Sequence, residues 1–350
     1  MYRSDYRKSI AKKTGWYLLL GCVLFFLPSS VSGQLKAGSA KEESLELTNL
    51  IPDTRIVINA PCNDLINRKL PTRVIFYALP NGNSIEQTAG KLIKKKNDPV
   101  EWRFDIQHIA AQTRFLREKD LRYNYIVVYL EASMRAWSGH TAKYPDSPKL
   151  YNHLVDTICH ILSEKYASIE RMEVTLSSHS GGGRFLFNYI NGVKKIPENV
   201  KRIVFIDSNY GYEDSLYAQK LTRWIKSSKT NVLAVFSYVD TTVRLNGKPI
   251  VGSFGGTGYR SKMMVDALIK RGIKLESHSD TTFRRYTWTG GSGSKGGRVQ
   301  ILIKENPSGQ IYHTVLVERN GLIHSMLMGS PIEEKGYKFW GERAYSEFIE

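Results

Sequence analysis

Met172-Glu173-Val174-Thr175-Leu176-Ser177-Ser178-His179-Ser180-Gly181-Gly182-Gly183-Arg184-Phe185 passes from a strand pattern into a helix pattern with no loop between them. Met172, Val174 and Leu176 alternate with polar residues, the period of a strand. A helix is expected from about Arg184 to Asn191, so the four small residues Ser180 to Gly183 must make a very tight turn. Short β-branched or aromatic runs at 56–58, 74–78 and 125–130 precede this unit, and others at 203–206 and 232–238 follow it. Helical stretches lie between several of them. One starts at Ser147-Pro148 with Leu150, Leu154, Ile158, Ile161 and Leu162 on a stripe; another carries Leu216, Leu221, Trp224 and Ile225; a third runs over 259–271 and closes at Gly272. Such alternation predicts an α/β fold: a mostly parallel central sheet flanked by helices, in a single domain over 55–350. The last strand is placed at 311–317. Residues 34–54 are read as an N-terminal extension, and 276–300, with the run Gly290-Gly291-Ser292-Gly293-Ser294, as a flexible insertion or loop.

The N-terminus has the pattern of a secretory signal peptide over residues 1–33. Five basic residues lead into an apolar run of about 12 residues from Trp16 to Leu27, and small residues precede Gln34. The run is well short of the roughly 20 residues that cross a bilayer as a helix, so no stable membrane anchor is expected after cleavage. A secreted or periplasmic location follows, with lipidation of Cys22 as the alternative. The chain has a net charge of +17, and loss of the first 33 residues, with five Lys/Arg and one Asp, leaves +13. That balance favours acidic partners but speaks to association rather than chemistry. Export argues against nucleic acid, and the basic residues are scattered apart from Lys94-Lys95-Lys96. Cys62 and Cys159 remain after cleavage, and either pairing or a buried free thiol at Cys159 is open. Cysteines so spaced give no metal signal, and no cofactor is expected.

The turn Ser178-His179-Ser180-Gly181-Gly182 resembles the nucleophile elbow of the α/β-hydrolase superfamily, a serine hydrolase signature. The strained turn needs small residues two before and two after the nucleophile. Gly182 meets the second requirement, and Ser178 stands where the family usually has Gly. A phosphate-binding turn is the competing reading, but no P-loop Lys-Ser/Thr pair follows the glycines. The resemblance implies Ser180 as nucleophile, then an acid, then a histidine in chain order. His324, after a strand and turn near the end, is the expected base, with His278 and His313 as alternatives. Asp240, after 232–238, is the expected acid, and Asp207, after 203–206, the alternative used by a minority of the family. The oxyanion hole is expected from Gly181 and from the turn Asn81-Gly82.

These residues point to acyl transfer to water through an acyl-enzyme on Ser180, with a small-molecule or carbohydrate ester as substrate. Export and the aromatic residues Trp102, Trp137, Tyr210, Tyr212 and Trp288 suit a carbohydrate ester. A secreted serine peptidase or amidase is one alternative. A non-catalytic polysaccharide-binding protein on the same fold is another.

Overall fold

Eleven strands form one sheet in a computed structural model of the chain that describes residues 33–37, 41–94, 101–166, 171–290 and 297–350. The described residues belong to one compact unit. The expected signal peptide falls outside them, except for Gly33, and so does most of the Gly/Ser run of 290–294. In chain order the strands are β1 (Gly33–Ala37), β2 (Glu42–Thr48), β3 (Thr54–Pro61), β4 (Thr72–Ala78), β5 (Asn124–Ala132), β6 (Met172–His179), β7 (Val200–Ile206) and β8 (Val232–Tyr238). After these come a separate two-stranded hairpin, β9 (Arg244–Leu245) and β10 (Lys248–Pro249), and then β11 (Glu276–Ser279), β12 (Phe283–Trp288) and β13 (Val299–Lys304). The spatial order is β1-β2-β3-β5-β4-β6-β7-β8-β13-β12-β11. The six strands from β5 to β13 run parallel, and antiparallel strands extend the sheet at both ends.

The helices are α1 (Ile85–Ala89), α2 (Ile109–Lys119), α3 (Trp137–Lys143), α4 (Ser147–Lys165), α5 (Gly183–Gly192), α6 (Gln219–Ser227), α7 (Gly256–Lys270), α8 (Val315–Glu318) and α9 (Gly321–Leu327). Because helices cover both faces, β4, β5 and β8 are buried along their whole length, which is why they read as unbroken apolar runs. Successive side chains divide between two cores. Val74, Phe76, Leu176 and Phe205 pack with Leu154, Phe185, Leu221 and Leu268 of α4 to α7. Ile75, Tyr77, Val204 and Ile206 pack with Phe115, Leu316 and Ile323 of α2, α8 and α9 on the other face.

Three expected boundaries change. The last parallel strand is β13 at 299–304; the run at 311–317 leads instead into the short helix α8, so it contributes no strand. Within the 276–300 stretch, residues 276–279 and 283–288 form β11 and β12, an antiparallel extension of the sheet, and β13 starts at Val299. Its residues Phe283 and Tyr286 turn apolar rings inward, giving the hairpin its own share of core. Residues 34–54 contribute β1 and β2, and β2 is hydrogen-bonded along its length to β3. Cys62 and Cys159 are both free, and burial pushes the Cys159 thiol up to about 12.

Candidate active site

β6 lies between β4 and β7 near the middle of the parallel strands, and its carboxyl end delivers Ser180. Ser180 has φ of +53°, a left-handed conformation unfavourable for a residue with a side chain. Packing against the turn enforces it. A Cβ on Gly182 would lie 2.1 Å from the Ala78 carbonyl oxygen, and one on Gly183 would lie 1.7 Å from that of Ser208. Gly183→Ala is therefore expected to cost about 1–3 kcal/mol of stability, read as a lowered urea midpoint. An unchanged midpoint would contradict this close approach. Ser178, at the position usually held by Gly, also has a structural reason. Its hydroxyl lies 2.8 Å from that of Ser208 and joins the elbow to the loop after β7.

That loop carries Asp207, also left-handed at φ +45° and fully buried. Its carboxylate accepts two short hydrogen bonds, from Thr257 Oγ1 and from His313 Nδ1. His313 lies on the loop after β13, its side chain 27% exposed. With Nδ1 given to Asp207, Nε2 is the nitrogen left for a substrate or nucleophile. The ring of His179, the residue before Ser180, lies 4.7 Å from that of His313, and His179 Nε2–H donates to the His313 carbonyl at 3.0 Å. Burial and the neighbouring His313 hold His179 well below the usual histidine range, so its ring stays neutral and braces the His313 loop. Among the described residues no hydrogen bond joins Ser180 Oγ to the His313 ring.

The structure does not bring His324 to this site. It is buried in α9, where Nε2–H donates to Gln300 Oε1 at 3.2 Å and Nδ1 accepts from the Tyr337 hydroxyl at 3.1 Å. Its ring stacks on Phe339 at 4.7 Å. Burial lowers it to about 3, which makes it a neutral core histidine. The expected pairing of Asp240 with His324 is likewise absent. Asp240 Oδ2 accepts from the Thr257 backbone N–H at 2.9 Å, while Oδ1 has no hydrogen-bond partner among the described residues. Burial, and then the charge of Asp207, raise Asp240 to about 6. His278 lies exposed on β11, hydrogen-bonded into the edge hairpin.

Ser180 opens onto a cavity of about 250 Å³ lined by Asn81, Ser138, Arg184, Ser208 and Tyr210 among others. The Asn81 side chain packs directly against Gly181, since a Cβ there would lie 2.1 Å from Asn81 Oδ1. Gly82 drops out of the expected oxyanion pair because its N–H donates to the Arg135 carbonyl at 2.8 Å. A larger cavity of about 390 Å³ lies at the amino ends of the parallel strands, around Arg114 and Arg117, whose charges Glu42 already satisfies. Of the five aromatic residues expected in loops, Trp137 and Tyr212 are core and only Tyr210 lines the cavity. Among the described residues no group of three His, Cys, Asp or Glu is placed to hold a metal ion, and no helix is long and apolar enough to cross a membrane.

No family model and no curated protein matches the chain. Among solved structures it is similar to the feruloyl esterase module from Clostridium thermocellum complexed with sinapinate, at 11% identity and a TM-score of 0.49, over 88% of this chain and 98% of that one. It is also similar to a thermostable esterase, at 14% identity and a TM-score of 0.46, over 81% of this chain but 63% of that esterase's length. A third is a glucuronoyl esterase from Solibacter usitatus, at 12% identity and a TM-score of 0.41, over 80% of this chain and 82% of that one. Likeness at this level says nothing of substrate. An elbow at the end of a central parallel strand, followed in chain order by an aspartate and a histidine that meet on the loops after two later parallel strands, makes this chain an α/β-hydrolase-fold protein.

Proposed function

We propose that the chain is an exported serine esterase in which Ser180, His313 and Asp207 act as the triad. The observation that carries this reading is the hydrogen bond from His313 Nδ1–H to the buried Asp207 carboxylate, beside a serine held at positive φ. Ser180 Oγ attacks the ester carbonyl and passes its proton to His313 Nε2. Asp207 fixes the tautomer and stabilises the imidazolium. The oxyanion is held by the backbone N–H groups of Gly181 and Asn81, with the positive end of α5 behind them. The imidazolium then protonates the leaving alcohol, and water activated by the same histidine releases the acid and regenerates Ser180. A small cavity lined by serines, Asn81, Arg184 and one tyrosine suits a short polar ester better than a long acyl chain.

A fluorophosphonate is expected to label the wild-type chain at Ser180, located by peptide mapping, and to leave Ser180→Ala unlabelled. Labelling that persists in Ser180→Ala would remove the serine mechanism. Export is tested separately. The mature protein is expected to begin at or near Gln34, and recovery of a chain diacylated at Cys22 would replace that reading with lipidation.

A further inference from the structure

Several arginines in this protein are committed to carboxylates, among them Arg55 to Glu46 and Glu86, Arg73 to Glu173, Arg114 to Glu42, and Arg343 to Asp105 and Glu318. Arg184 differs. It is the second residue of α5, four positions after Ser180, and it lines the same cavity as the nucleophile. Its guanidinium has no hydrogen bond, ion pair or ring contact among the described residues, and no carboxylate lines the cavity. The other polar groups there do not neutralise it. Ser138 is a neutral hydroxyl, Ser208 is taken by Ser178, and the Tyr210 hydroxyl is turned to the Asp207 carboxylate at 3.5 Å. A second positive charge lies close by, since Arg103 Nη1 donates to the Gly82 carbonyl at 2.9 Å, next to Asn81.

A guanidinium is always charged, and its planar fork matches a carboxylate through two parallel N–H···O bonds. Exposed at the edge of the cavity beside the reacting serine, and without a side-chain partner among the described residues, it is free to pair with an anion that a ligand brings. The cavity of about 250 Å³ is below the roughly 300–1,000 Å³ of sites for drug-sized ligands. The group it accepts is therefore short or a single ring. We infer that Arg184 determines specificity for esters that carry a carboxylate close to the scissile bond, and that its guanidinium binds that carboxylate while Ser180 attacks. This rests on the proposed serine esterase chemistry and adds the substrate class to it.

Two matched pairs of esters test the inference. In the first the charge is on the acyl side: the mono-4-nitrophenyl ester of adipic acid against its methyl-capped counterpart. In the second it is on the leaving group: 4-acetoxybenzoate against methyl 4-acetoxybenzoate. The expected result is a preference of about tenfold or more in kcat/KM for the anionic member of at least one pair, the size of one charge-assisted contact. The preference should fall to near unity in Arg184→Met and be partly kept in Arg184→Lys. Which pair shows it identifies the side of the bond that faces Arg184. Equal or faster turnover of the neutral member in both pairs would overturn the inference, and so would a preference that survives Arg184→Met. Fluorophosphonate labelling of Ser180 in the wild-type chain reports on the esterase reading alone, so a failure there is distinguishable from a failure of the carboxylate preference.

Discussion

His313→Ala is expected to lower kcat/KM for a small aryl ester by about 10⁶, the same loss as Ser180→Ala, because in the proposed triad nucleophile and base act as one unit and neither works without the other. The double variant should be no worse than either single one. His324→Gln, by contrast, should change kcat/KM less than tenfold. Both nitrogens of His324 are occupied inside the core, by Gln300 and Tyr337, and its ring is stacked on Phe339. Its replacement therefore acts on stability, at about 1–3 kcal/mol for disturbing buried hydrogen bonds. Steady-state kinetics and urea unfolding on the same preparations separate the two effects. Full turnover by His313→Ala, or abolished turnover by a well-folded His324→Gln, would return the base to α9.

The second large effect distinguishes the two aspartates. Asp207→Asn should cost about 10⁴ in kcat, the loss that follows when the imidazole is left in the wrong tautomer. Asp240→Asn should cost far less, since among the described residues Asp240 makes no hydrogen bond to His313; its carboxylate accepts from the backbone N–H of Thr257, whose hydroxyl donates to Asp207. Its effect should appear instead in the pH dependence of stability. Asp240 is raised in the folded chain to about 6, from an ordinary 3.8, by burial and the charge of Asp207. A raised carboxyl favours the protonated native state, so the folded chain binds more protons than the unfolded one between those values. The stabilising contribution is complete below pH 3.8 and is lost as pH rises through about 6. The loss amounts to about 2–3 kcal/mol at 1.36 kcal/mol per pH unit. Asp240→Asn, which keeps an acceptor for the Thr257 N–H, should flatten that fall, measured as urea midpoints from pH 4.5 to 7.5. An unchanged slope would show that Asp240 does not titrate in this window.

The elbow and the parallel sheet were legible from local pattern alone. Strand and turn chemistry are local: the alternation of Met172, Val174 and Leu176, the small residues around Ser180 and the apolar runs of the parallel strands carry their reasons within a few residues. Local pattern misplaced the last strand. Val299-Gln300-Ile301-Leu302-Ile303, where the expected flexible stretch of 276–300 ends beside the Gly/Ser run, is not picked out as a strand, which places the last strand at 311–317 with His313 inside it. With the strand at 299–304, His313 falls on the loop that follows.

The choice of acid was not a local matter at all. Asp207 and Asp240 both follow a strand, and both lie buried in reach of Thr257. Only the path of the chain after β13 brings the His313 ring to Asp207 and leaves Asp240 facing the start of α7. Gly82 and the aromatic residues show the same limit, because a donor's availability or a ring's exposure depends on what packs beside it. The sequence by itself determined which residue types stand at the ends of which strands. Tertiary structure alone decided which of them meet, because hydrogen-bond partners across 106 positions, as for His313 and Asp207, are chosen by how the loops close over the sheet and not by any property of the residues between them.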